Sequence, residues 1–155
     1  MSEGSWNAVR VAVVGIGNEL NGDDGAGVQV ARALKQALPA REGLLVIDAG
    51  PAPENFTGSL RRFAPDLVVL VDAADMGGQP GEVAWIDPGE IDGMSASTHS
   101  LPVTVFSRFL TEEIGCRVVF IGIQPLRLDF DLPLSAPVEK AVQRVSAELA
   151  RRLVG

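Results

Sequence analysis

The chain has 155 residues, with 13 Lys and Arg against 20 Asp and Glu, so its formal charge is -7 at pH 7. That balance argues against broad binding to a phosphate backbone, which needs clustered cations, and nucleic acid is not an expected partner. One cysteine, Cys116, excludes an internal disulfide and any all-cysteine zinc site. The length suits a single domain over residues 1–155, able to bury about 68–70% of its unfolded surface without staples. Neither a signal peptide nor a long apolar span is read in the sequence, so a soluble, cytoplasmic protein that does not enter a membrane is the expectation.

In chain order, AVRVAVVG (Ala8 to Gly15) opens as a short, β-branched, nearly all-apolar run. A glycine-rich loop follows, GIGNELNGDDGAG, and then a helical pattern over about Ala26 to Leu38. LLVIDAG (Leu44 to Gly50), LVVLVDA (Leu67 to Ala73) and CRVVFIGI (Cys116 to Ile123) repeat the first run's character, and all four read as strands buried on both faces. EVAWID (Glu82 to Asp87), after a Gln-Pro-Gly turn, reads as a shorter strand near a sheet edge. Further helices are predicted over Pro53 to Phe63, Leu101 to Glu113 and Pro137 to Leu153. In the last, Val138, Ala141, Val142, Val145, Leu149 and Leu153 form one apolar stripe. Strands alternating with helices imply right-handed crossovers and a mostly parallel sheet covered on both faces. Ligands in such sheets sit beyond the carboxyl ends of the strands, where strand order reverses.

That rule selects the chemistry. The loop after the first strand carries Asp23 and Asp24, Asp48 ends the second strand and Asp72 ends the third. His99, the one histidine, lies in a Ser/Thr/Gly-rich segment that could approach the same edge. A dinucleotide site is met in part by Gly15, Gly17 and Asp48, but Leu20 stands at the third glycine position and three acids would repel a pyrophosphate. A P-loop lacks its Gly-Lys-Ser/Thr. For Asp23 and Asp24 the plainest role is capping of the helix that begins near Gly25. Both cannot cap it in the same way, which leaves one carboxylate ionised near a helix N-terminus. Asp72 could be an ordinary polar strand end and His99 an ordinary loop residue. Together, two carboxylates and an imidazole form an O,O,N set suited to a divalent transition ion with positions left open. Ser95, Ser97 and Ser100 flank His99 without a G-x-S-x-G elbow, and Cys116 begins an apolar strand, so nucleophilic serine or cysteine chemistry has little support.

GIGNELNGDDGAG, VIDAGPAPENF, VDAADMGGQPGEVAWIDP, STHSLP and FIGIQP occur in this order, and together they resemble the hydrogenase maturation endopeptidases. The resemblance is closest to the branch that processes the large subunit of the formate hydrogenlyase type [NiFe] hydrogenase, and it runs from about Val9 to Leu153. It implies a three-layer α/β/α sandwich with a five-stranded, mostly parallel sheet in the order 2-1-3-5-4, strand 4 antiparallel. It also implies an endopeptidase that removes a C-terminal extension from the large-subunit precursor after nickel insertion. Nickel would come with the precursor and no organic cofactor is implied. Asp24, Asp72 and His99 match the family's metal-contacting and catalytic positions, the first being Glu in some members. Asp23 is then expected to cap the helix or support the site, and a monomer is expected. A metal-binding chaperone of the same subunit and a nucleotide-binding oxidoreductase are the competing readings.

Overall fold

The computed structural model describes residues 5–6, 8–87, 90, 95–96 and 102–154. β1 (Val11–Ile16) is buried at every position. A 3-10 turn over Gly22–Gly25 leads into α1 (Ala26–Ala37). Next come β2 (Leu44–Gly50), a 3-10 turn over Pro53–Phe56, α2 (Thr57–Phe63) and β3 (Leu67–Asp75). β4 (Val83–Ile86) is followed by α3 (Val103–Phe109), whose end widens into a π turn over Leu110–Ile114. β5 (Arg117–Ile123) and α4 (Ala136–Val154) complete the order.

The five main strands run β2-β1-β3-β5-β4, parallel except for β4, which pairs antiparallel with β5, and a two-residue strand, Ser95–Ala96, pairs antiparallel with the end of β3 off this path. This is the expected 2-1-3-5-4 order. Side chains alternate across a strand, so the central strands feed two separate cores. Val11, Val13, Val69, Val71 and Ile121 face α1 and α4 through Val30, Leu34, Val145 and Leu149. Ala12, Val14, Val68, Leu70 and Phe120 face α2 and α3 through Leu60, Val103 and Phe106. Three layers result, and each fully buried Val, Leu or Phe contributes about 1.5–3 kcal/mol.

Several expected boundaries move, each for a local reason. β1 begins at Val11 instead of Ala8: the Val9 amide is taken by the Trp6 carbonyl and the Arg10 amide by the Asp66 carboxylate, and the Val11 amide is the first to meet the chain entering β2, at the Gly43 carbonyl. β2 is half-buried and not covered on both faces, because it is an edge strand paired only with β1. β3 runs two residues past Ala73, since Ala74 and Asp75 pair antiparallel with Ala96 and Ser95. The helix expected from Pro53 starts as a 3-10 turn, with proline in its first turn, where a missing amide costs least.

Candidate active site

β1 and β3 lie side by side, and their ladder ends at the pair Gly15 and Val71. Beyond that point the two chains diverge: β1 turns off through Gly17, while Asp72 continues β3 beside Gly122 of β5. This divergence is the reversal point of the strand order, and α1 is pressed tightly into it. A Cβ on Gly27 would sit 2.1 Å from the Val71 carbonyl oxygen and 2.5 Å from that of Ile16. Only glycine permits such an approach, and it sets the start of α1 on the carboxyl ends of both strands. Gly17 has φ +147°, and a Cβ there would lie 1.9 Å from the Asp24 carbonyl oxygen. Gly17 and Gly27 thus bring an acidic turn down onto the sheet edge, in keeping with the expectation that this loop is not a phosphate cradle.

Asp23 and Asp24 are both buried in that turn, at 0% and 1% exposure, and the turn packs against β3. Their roles differ sharply. Asp23 caps no helix: neither the 3-10 turn nor α1 has a side-chain cap at its start. Its carboxylate turns away, toward the loop after β5. One oxygen accepts the amides of Leu126 (2.8 Å) and Arg127 (3.1 Å) and the hydroxyl of Ser135 (2.8 Å). The other accepts the Ser135 amide (2.7 Å). Backbone bonds from Asp23 to the Arg127 carbonyl and from Asp131 to the Leu20 carbonyl tie the same two loops together. The capping expectation is corrected for a physical reason. A buried carboxylate needs several donors, and one helix turn offers fewer than a loop folded across it.

Asp24 is left nearly unused. Its Oδ2 accepts the Asn18 amide at 3.1 Å, and its Oδ1 has no hydrogen-bond partner among the described residues. A buried carboxylate oxygen without a donor costs free energy and is suited to a cation from outside. Asp72 is buried on β3 at 0% exposure, at the same carboxyl edge. His99 lies outside the described residues. Among the described residues no group of three His, Cys, Asp or Glu side chains forms a metal cluster by itself.

Asp48 does not wait for a ribose: its carboxylate accepts Arg32 Nε at 2.9 Å, and Arg32 also clasps Glu19 with both terminal nitrogens. Hydrogen bonding to Arg32 holds the Glu19 carboxyl below the usual carboxylate range. These side chains wall a cleft of about 410 Å³ that also touches Gly17, Asn18, Leu20 and Gly50. Cys116 is buried, its thiol donating to the Leu110 carbonyl (3.6 Å), and burial pushes its pKa up. The thiol is buried, as the sequence led us to expect.

Sequence reading passed over Gln124 and Ser135. The Gln124 side-chain oxygen accepts the amides of Met76 (2.7 Å) and Gly78 (3.2 Å), and its nitrogen donates to Asp75 (3.2 Å), which fixes the chain leaving β3. Its signal was present in FIGIQP, a polar residue ending an apolar strand. Ser135 has no such signal, being 112 positions from the carboxylate it satisfies.

Fold and edge together define a class: a three-layer α/β/α protein whose switch point presents buried carboxylate oxygens, where a nucleotide-binding protein would present backbone amides to an anion. The family described as HycI, hydrogenase maturation protease, matches residues 28–152. The Hydrogenase 3 maturation protease of Escherichia coli K12 is 41% identical over 135 residues, 86% of this chain and 85% of that protein. A putative hydrogenase maturation protease of Methanocaldococcus jannaschii is 32% identical over 154 residues, 96% of this chain and 88% of the other. The crystal structure of the [NiFe] hydrogenase maturation protease HycI from Thermococcus kodakarensis superposes with a TM-score of 0.86 at 35% identity, covering 94% of this chain and 93% of that one. The chain belongs to the hydrogenase maturation protease family, and it is a peptidase.

Proposed function

We propose that the enzyme removes the C-terminal extension of a [NiFe] hydrogenase large-subunit precursor once nickel is in place, with Asp24, Asp72 and His99 completing the coordination of the nickel that the precursor brings. The observation that carries the reading is Asp24 Oδ1, a buried carboxylate oxygen with no donor among the described residues, in a loop pinned to the sheet edge by Gly17 and Gly27. Carboxylate and imidazole donors suit a divalent transition ion, so the chemistry of the set fits. As a Lewis acid, nickel would polarise the scissile carbonyl or its attacking water.

This chain's own part is positional. Asp24 and Asp72 hold their oxygens at the edge of the sheet before substrate arrives, so little reorganisation is needed when the metal-bearing protein docks. Asp23 keeps the acidic turn in place by satisfying its own charge elsewhere. With two buried carboxylates and one histidine the protein holds nickel weakly alone and tightly only with the precursor, acting as a monomer in the cytoplasm. Calorimetry is expected to show nickel affinity no tighter than micromolar for the isolated protein. A gel shift comparing nickel-loaded with nickel-free precursor tests the whole reading: only the loaded form should shorten. Binding of loaded precursor without cleavage would instead mark an escort protein.

A further inference from the structure

The loop after β5 spends a buried charge to hold apolar side chains in water. Between Gln124 and Ser135 the chain alternates, and Leu126, Leu128 and Phe130 are 57%, 44% and 73% exposed. Their backbone is not loose. Asp23 grips the amides of Leu126, Arg127 and Ser135; Asp131, at φ 63°, turns the chain so that its amide meets the Leu20 carbonyl; Asn21 bridges to Leu132. Leu20, 57% exposed, joins the strip from the glycine loop. Singly exposed leucines are ordinary, but four large exposed apolar side chains on two loops cross-linked through Asp23, the neighbour of Asp24 in the chain, gather apolar surface of the kind that marks an interaction site.

Charge states what kind of surface fits it. Arg127, the one cation between Gln124 and Ser135, bends back to the Pro133 carbonyl (3.3 Å), whereas Asp129 and Asp131 are exposed on either side of Phe130. The outward face of the loop is therefore apolar with an acidic border. An anionic membrane would be repelled, as would a second copy of this chain at net charge -7. We infer that Leu20, Leu126, Leu128 and Phe130 form the docking strip for the metal-bearing protein substrate, engaging an apolar face of it bordered by Lys or Arg. The inference rests on the proposed function. It goes further in naming the residues that select the substrate, as distinct from those that face the metal.

Binding and cleavage are to be measured separately on the full chain and the nickel-loaded precursor. Changing Leu126, Leu128 and Phe130 together to Ser is expected to weaken precursor binding, read by interferometry, and to raise KM by about tenfold or more, as loss of an aromatic and aliphatic anchor does. Turnover at saturation should stay within about twofold of the parent, since no group facing the scissile bond is touched. Phe130→Ser alone, at the most exposed of the three, guards against a folding defect. Asp129→Lys should weaken binding most at low salt. Unchanged binding in the triple variant would overturn the strip. So would a fall in kcat at unchanged KM, or sedimentation showing a parent dimer that the variant splits, which would make the occupant a second copy. Cleavage by Asp24→Asn would sink the metal-site reading and leave the binding result for the strip standing.

Discussion

Asp23 and Asp24 are neighbours of the same type and near-equal burial, yet among the described residues one carboxylate has four donors and the other has one. Asp23→Asn would replace an oxygen acceptor with an amide donor facing backbone N–H groups, and it is expected to cost about 2–3 kcal/mol, read as a lowered urea midpoint. Asp24→Asn loses little structure, since Oδ1 has no bond to lose among the described residues. Stability should move by about 1 kcal/mol or less. Cleavage should fall at least about a hundredfold, the scale on which removal of one charge-stabilising group acts. A processing assay run beside the melt separates the two effects, and full activity in Asp24→Asn would end its assignment. The sequence left Asp23 to cap the helix or support the site, and which of the two was not legible: a local rule assigns an acid before a helix to capping, and the donors that win Asp23 lie more than 100 positions away.

At the level of elements, the seating of α1 on β1 and β3 positions the acidic turn. Gly27→Ala would force a methyl between two backbone carbonyls that cannot rotate aside. It is expected to destabilise the fold by about 3 kcal/mol or more and to lower cleavage in step, as Asp24 is lifted from the edge. Circular dichroism melts and the processing assay are the measurements; a variant of parental stability would show that the contact is slack. Among the described residues, β1, β2, β3 and β5 were legible as strands from their short apolar, β-branched runs, the helices from their longer patterns, and β4 as a marginal strand, whereas Ser95–Ala96 was not foreseen. β2 misled, since a nearly all-apolar run reads as doubly buried, while its place at the edge depends on which strand pairs with which. The extra residues of β3 depend likewise on Ser95 and Ala96, a pairing no local pattern announces.

Across the whole molecule, Cys116 offers a reporter of global opening. It is 6% exposed, and burial raises its thiol pKa, so the reactive thiolate is suppressed in the folded state. Alkylation at pH 8 should follow the unfolding rate and accelerate steeply near the urea midpoint; rapid labelling in native buffer would contradict this packing. The folded pKa lies above the unfolded one, so the associated stability is intact below the ordinary thiol pKa and declines as pH rises through the folded value. Among the described residues no helix is long and apolar enough to cross a membrane.

Sequence by itself determined the alternation of strands and helices and the mostly parallel sheet, which follow from apolar runs, helical period and turn chemistry, all of them local. The choice of Asp24, Asp72 and His99 as candidate ligands came from the resemblance that the ordered motifs carry. Tertiary structure alone decided that Asp23 is a clamp and not a cap, that β2 is an edge, and that an apolar strip stands beside the acidic turn. Each of these depends on which distant backbone groups reach a buried charge or an open strand, and chain crossing, not local preference, settles that.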